Sequence, residues 1–393
     1  MRLAKRIGHI LSGGSDGWDI YYRARDLILA GEKILNLTIG EPDIRTDPAI
    51  LQAMAESARA GNTGYTFGPG KRALREAIAR RVETRTGVPT DWRNVVVTAG
   101  GQFALFAAHM ALLDPGDRAL YCDPYYATYP GTLRATGAEA IAIPTRPENA
   151  FEPTYADIAA RAPGARTLLI NTPNNPTGSV YSEATIEAVA RAAKDHDLWL
   201  VSDEVYDTQV WEGRHLSPRA LPGMAERTIA IGSLSKSHAM TGSRIGWIVA
   251  PEPVAEAATT LATMSTYGVA PFLQDAALFA ISQGEGFEGR LAEPFRRRRA
   301  LALQALQGAN ALKLIPPRGA MYLMLDIRAT GLSGNAFAEK LLAEEQIAVM
   351  PGESFGQAAA GHIRVAMTIA DEGFARAMER LAAFAARLVP AAE

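Results

Sequence analysis

The chain has 393 residues, 48% apolar and 21% charged, the balance of a globular protein long enough for two cores. Its 40 Lys and Arg against 42 Asp and Glu leave a formal charge of −2, which argues against a nucleic-acid partner, and the one basic run, Arg296 to Arg299, reads as a solvated helix face. Cys122 stands alone, which excludes an internal disulfide framework and a multi-cysteine metal site. No apolar run approaches the roughly 20 residues of a membrane helix and no secretory signal is legible, so a cytoplasmic protein without metal or membrane partner is expected.

In chain order, a helix is expected over 18–30 and a short strand over 34–37, ending in the turn Gly40-Glu41-Pro42-Asp43, where a glycine lets the backbone approach a ligand. Helices follow over 48–59 and 73–83, joined by a loop over 65–71. Gly68 and Gly70 before Lys71 lack the spacing of a nucleotide loop. From residue 94 the grammar alternates. Strands are expected over 94–97, 119–122, 140–143, 167–170, 198–201, 228–231 and 245–249, and helices over 103–113, 126–136, 155–161 and 183–195, with Ser182 as N-cap of the last. This pattern describes an α/β chain with a mostly parallel sheet. The stretch over 252–306 reads as helical. Strands over 320–327, 347–350 and 362–367 with a helix over 335–345 then suggest a smaller α+β domain, and the alanine-rich segments 358–360 and 391–393 read as frayed.

Chemistry-bearing residues gather where predicted strands end. Thr98-Ala99-Gly100-Gly101-Gln102 forms a strand–glycine–helix junction, whose free N–H groups favour an anion. Asn171-Thr172-Pro173-Asn174-Asn175-Pro176-Thr177-Gly178, Ser202-Asp203-Glu204-Val205-Tyr206 and Ser233-Leu234-Ser235-Lys236 follow three further strands. In an open α/β sheet such ends converge on one crevice. Lys236, read as lying on a tight loop, would meet a carboxylate, a phenol, an amide and Arg244 there.

The joint presence of N-P-T-G, S-D-E-x-Y and S-x-S-K followed eight positions later by Arg244-Ile245-Gly246-Trp247 resembles the fold-type I pyridoxal phosphate enzymes of the aspartate aminotransferase family, from about Gly40 to Arg364. The resemblance implies a large cofactor-binding domain over 41–285 and a discontinuous small domain of 1–40 with 286–393. It implies pyridoxal 5′-phosphate as cofactor, with Lys236 bonding its aldehyde and, once freed, carrying the proton between substrate and cofactor carbons. Asp203 would keep the ring nitrogen protonated; Asn175 and Tyr206 would meet the ring hydroxyl oxygen. Tyr126 would stack on the ring, with Tyr125 and Tyr129 as competitors. Ser233, Ser235, Arg244 and the backbone of Gly101 and Gln102 would hold the phosphate, and Tyr65 would reach it from a second subunit of a homodimer. Arg364, with the backbone of Gly40, would clamp the substrate α-carboxylate.

The expected reaction is ping-pong transfer of an amino group from an L-amino acid to a 2-oxo acid. The stretch Trp18-Asp19-Ile20-Tyr21-Tyr22-Arg23-Ala24 together with the lysine loop is similar to the arginine:pyruvate transaminase branch, while the wider branch is associated with aspartate, so the donor stays open. Ser243 stands where relatives often carry a bulky aromatic, and His238 reads as packing beside Lys236. A lyase or decarboxylase on the same scaffold is the nearest rival. A ligand-sensing domain would need an added DNA-binding module, and a Rossmann dehydrogenase would need a G-x-G-x-x-G that the chain lacks.

Overall fold

The computed structural model describes residues 5–11, 18–66 and 68–389. Phe67 in the expected loop and the alanine-rich end at 391–393 lie outside them. The strands are β1 (Leu35–Asn36), β2 (Val95–Thr98), β3 (Arg118–Asp123), β4 (Glu139–Pro144), β5 (Ala165–Asn171), β6 (Trp199–Asp203), β7 (Thr228–Ser233), β8 (Gly246–Val249), β9 (Lys313–Leu314), β10 (Tyr322–Asp326), β11 (Ile347–Ala348), β12 (Met350–Pro351) and β13 (His362–Ala366).

Seven of them form one sheet in the order β2-β8-β7-β6-β5-β3-β4, parallel except for β8. Its strands are apolar on both faces because helices cover both. Val96, Val201 and Ile248 pack with the helix Gly101–Leu112, while Val95, Val97 and Val249 pack on the other side with the helices Pro48–Arg59, Arg72–Thr86 and Pro271–Ser282. Helix starts follow local chemistry: Asp47 accepts the N–H of Ala49 ahead of Pro48, and Ser182 accepts that of Thr185.

The smaller body is a four-stranded antiparallel sheet, β12-β13-β10-β9, beside a two-stranded parallel pair, β1-β11. The strand expected over 347–350 is split between them, because the chain changes sheets at Val349: Ile347 pairs with Leu35, whereas Met350 pairs with Arg364. Residues expected to fray at 358–360 are instead held by Asp123, whose carboxylate accepts the N–H groups of Gln357 (3.1 Å) and Ala358 (3.2 Å), and Ala359 is buried. Arg298 departs from a solvated face. It is 3% exposed and donates to Asp43 (2.7 and 2.8 Å), Asp371 (2.9 Å) and the Met367 carbonyl (2.9 Å). The closing helix Asp371–Leu388, absent from the sequence reading, seals this core with Phe374, Leu381 and Phe384. No helix among the described residues is long and apolar enough to cross a membrane.

Candidate active site

The carboxyl ends of β5, β6 and β7 lie side by side, with Asn171 in register with Asp203, and the small sheet faces them with Tyr322 and Arg364. Between the two lies a pocket of about 510 Å³. Every site residue expected from sequence lines it except Tyr65, which is 79% exposed and packs edge-to-face on Tyr267 at 5.1 Å. A larger adjoining cavity of about 1010 Å³ shares Trp18, Gln102 and Arg244 but not Lys236, Asp203 or Arg364. The smaller pocket is therefore the chemical one.

Lys236 does not sit on an open loop. Ser233 accepts the N–H of Ser235 at 3.1 Å and caps a single helical turn, Leu234–Ser237, that carries the lysine. Its Nζ donates to the Gly40 carbonyl at 2.5 Å. Burial lowers its pKa to about 8, a shift opposed by Glu41 and reinforced by Arg364 and Arg244. A lysine of this kind exchanges its proton near pH 8.

Asp203 ends β6 with its carboxylate buried, and burial pushes its pKa up to about 6. Tyr129 counters this by donating its hydroxyl to Oδ2 at 2.6 Å. Tyr129 is thus a supporting phenol, while Tyr126 stands edge-to-face on it at 5.6 Å and also lines the pocket; Tyr125 faces the larger cavity. Sequence left these three as competitors, and their geometry separates them.

At the other wall, Gly100 (φ +82°) precedes the helix Gly101–Leu112, and a β-carbon there would overlap the Arg244 guanidinium. Free N–H groups, a guanidinium and the Ser235 hydroxyl make this corner an anion cradle, whereas the Ser233 hydroxyl, expected there from sequence, donates to the Ile245 carbonyl at 2.9 Å and accepts the Ser235 N–H. The Gln102 side chain is occupied by Thr132 (2.9 Å) and Thr128 (2.8 Å), which leaves its backbone for the pocket.

Arg364 is 1% exposed and lies between the rings of Tyr322 (4.5 Å) and Phe355 (4.3 Å). It donates to Asn175 Oδ1 at 2.8 Å and to the Thr38 carbonyl, while its Nε has no acceptor among the described residues. A buried guanidinium with an unused edge is matched to a carboxylate. His238 points elsewhere: fully buried, stacked on Phe287 at 5.6 Å and hydrogen-bonded to Ser237 at 2.8 Å, it is held neutral by burial, with a pKa of about 4.

Tyr129 and Tyr322 are two pocket phenols to which sequence reasoning gave no site role, and each is hydrogen-bonded to a residue that it did assign. Tyr129 carried a weak signal as a competitor for stacking, and Tyr322 carried none. Glu41, Trp18, Tyr21 and Tyr22 also line the pocket.

The model of aminotransferase class I and II matches residues 32–381. The arginine–pyruvate transaminase of Pseudomonas aeruginosa is 43% identical over 390 residues, 99% of each chain, and the aspartate/prephenate aminotransferase of Thermus thermophilus is 37% identical over 92% of this chain and 93% of that one. The Thermus thermophilus aspartate aminotransferase structure with maleate superposes with a TM-score of 0.91 at 35% identity, covering 98% of this chain and 100% of that one. Aspartate aminotransferase from Thermotoga maritima gives the same TM-score at 31% identity, with 97% and 99% covered. A family model that spans most of the chain and a relative 43% identical along nearly all of it agree with the arrangement of the pocket, and this chain belongs to the class I and II aminotransferases.

Proposed function

We propose that the pocket holds pyridoxal 5′-phosphate and that the enzyme moves the amino group of L-arginine to pyruvate in the cytoplasm. The observation that carries the cofactor reading is the buried Lys236 amine sharing one pocket with the buried Asp203 carboxylate and the Gly100–Arg244 anion cradle. These residues fit the group: the cradle matches its phosphate, Asp203 its ring nitrogen, Tyr206 and Asn175 its ring oxygen, and Tyr126 its face. When bound, pyridoxal phosphate supplies an aldehyde that takes up amino groups and a cationic ring that draws electrons from the substrate carbon.

The chain's own residues do the rest. Asp203 would favour a proton on a ring nitrogen placed against it, and Tyr129 helps its carboxylate stay charged inside the protein. Arg364 orients the substrate through the α-carboxylate, and its two aromatic neighbours keep that guanidinium from swinging. Lys236, with its lowered pKa, takes a proton from one carbon and returns it to another as general base and acid.

Arginine is favoured over aspartate by two features. The relative at 43% identity is named for arginine and pyruvate. Glu41 and the aromatic group of Trp18, Tyr21 and Tyr22 line the pocket, and a carboxylate beside aromatic faces suits a guanidinium. Aspartate, the second reading, is supported by the relative at 37% identity, but its second carboxylate would meet Glu41. We adopt 41–285 as the cofactor-holding domain and 1–40 with 286–393 as its smaller partner. A homodimer in which exposed Tyr65 completes the pocket of the second copy accounts for its absence from its own pocket.

A donor screen of arginine, aspartate, alanine and phenylalanine against pyruvate, 2-oxoglutarate and oxaloacetate tests this reading. The visible chromophore should bleach fastest with arginine and return with pyruvate, and Lys236→Ala should abolish turnover. A higher kcat/KM for aspartate would overturn the donor, and purified enzyme without a visible chromophore after pyridoxal phosphate addition would overturn the cofactor.

A further inference from the structure

Tyr322 is the ring that the two halves of the pocket share. Its hydroxyl lies 2.9 Å from that of Tyr206, with the two rings edge-to-face at 5.8 Å. Its face carries the Arg364 guanidinium at 4.5 Å. Its hydroxyl also fills the space beside Gly40, where a β-carbon would overlap it. The residue is 2% exposed, so none of these contacts is incidental to a mobile surface side chain. One tyrosine thus touches the phenol expected at the cofactor's ring oxygen, the arginine expected at the substrate carboxylate, and the glycine whose carbonyl accepts a hydrogen bond from Lys236.

A hydrogen bond between two phenols needs one donor. Tyr322 lies against a cation that stabilises its phenolate and so makes it the stronger acid, whereas Tyr206 has no such neighbour in direct contact among the described residues. The stronger acid donates. Tyr206 then accepts through its oxygen and has its own hydrogen left for the pocket.

We propose that Tyr322 is a positioning residue with two separable tasks: its hydroxyl donates to Tyr206, aiming and strengthening the hydrogen that Tyr206 offers the cofactor oxygen, and its ring holds Arg364 in place for the substrate carboxylate. The proposal rests on the reading that pyridoxal phosphate occupies this pocket. Chained hydrogen bonds polarise one another, so removing the outer one weakens the inner one. A weaker donor at the ring oxygen leaves the chromophore holding its proton to higher pH.

The test is a visible-absorbance pH titration of purified holoenzyme, with binding of propionate, a carboxylate lacking an amino group, followed in parallel. Tyr322→Phe should move the chromophore midpoint upward by about half a unit, roughly threefold in proton affinity, with propionate affinity unchanged. Tyr206→Phe should move it further in the same direction, and the double variant should go no further than Tyr206→Phe alone. Tyr322→Leu, which removes the ring, should weaken propionate binding about tenfold. A wild-type chromophore that titrates while Tyr322→Phe leaves it unmoved, or shifts that simply add in the double variant, would overturn the role of the hydroxyl. Unchanged propionate binding in Tyr322→Leu would overturn that of the ring. Wild-type enzyme with no titrating chromophore would instead sink the cofactor reading beneath both.

Discussion

Titrating cofactor-free enzyme with an amine reagent isolates Lys236 from the other lysines. Burial brings its pKa from 10.5 to about 8 against the opposing charge of Glu41. At pH 8 about half of such amines are neutral, compared with about 0.3% of an unperturbed lysine, so the nucleophilic fraction is roughly 150-fold larger. Brief pulses of formaldehyde with cyanoborohydride between pH 6 and 10, read by peptide mass spectrometry, should show Lys236 labelling with a midpoint near pH 8. Glu41→Gln removes the charge that favours the ammonium and should move the midpoint lower. The same proton enters folding. Below about pH 8 both folded and unfolded chains hold it; between about 8 and 10.5 only the unfolded chain does, so the folded form gains stability as pH rises through that window. Lys236→Met should lack that gain. Labelling of Lys236 that climbs only near pH 10, as for an ordinary amine, would refute the claim that this pocket tunes the lysine.

Gly100→Ala tests the anion cradle: the left-handed backbone and the overlap with Arg244 should lower pyridoxal phosphate affinity by at least about tenfold while costing the fold only about 1 to 2 kcal/mol. Equilibrium dialysis that finds undiminished affinity would remove Arg244 and this turn from the phosphate site. Arg298→Met should lower unfolding stability by about 1 to 3 kcal/mol in urea, because it removes a buried guanidinium together with its hydrogen bonds to Asp43, Asp371 and the Met367 carbonyl, while Asp371 keeps its bond to Arg297. Arg297→Met breaks an ion pair to the same Asp371 at 2.9 Å, but from an arginine that is half exposed, and should cost less than about 1 kcal/mol. Equal costs would show that burial does not set the worth of these pairs.

That contrast between neighbouring arginines shows where sequence stops being informative. Both belong to one basic run, and the run by itself reads as a solvated face. Burial of Arg298 is decided by Asp43, which is 255 residues away and reaches the helix only through the fold. The elements around the chemistry were legible because each is marked locally: apolar strands end in glycine, proline, serine or asparagine, and a lysine or aspartate at such an end is out of place unless it has a task. The helical turn that carries Lys236 was not legible, since a serine cap followed by four residues has no periodicity to read.

The missed residues share a different cause. Tyr129 and Tyr322 are ordinary residues for their segments, one before a proline in a helix start, the other within Met321-Tyr322-Leu323, where a tyrosine reads as core. Their tasks come from partners 74 and 116 residues away, Asp203 and Tyr206, which sit at the carboxyl end of β6 and in the turn that follows it. In both cases a buried phenol stands behind a residue that sequence did assign and gives it the hydrogen bond its burial requires. A residue that meets the ligand is conspicuous because water-loving chemistry is placed at a strand end. A residue that supports it from the protein side is already where an amphipathic ring belongs, and only the register of β10 against β13, which brings Tyr322 into line with Ala366 and Met324 with Arg364, turns that ring into part of the site.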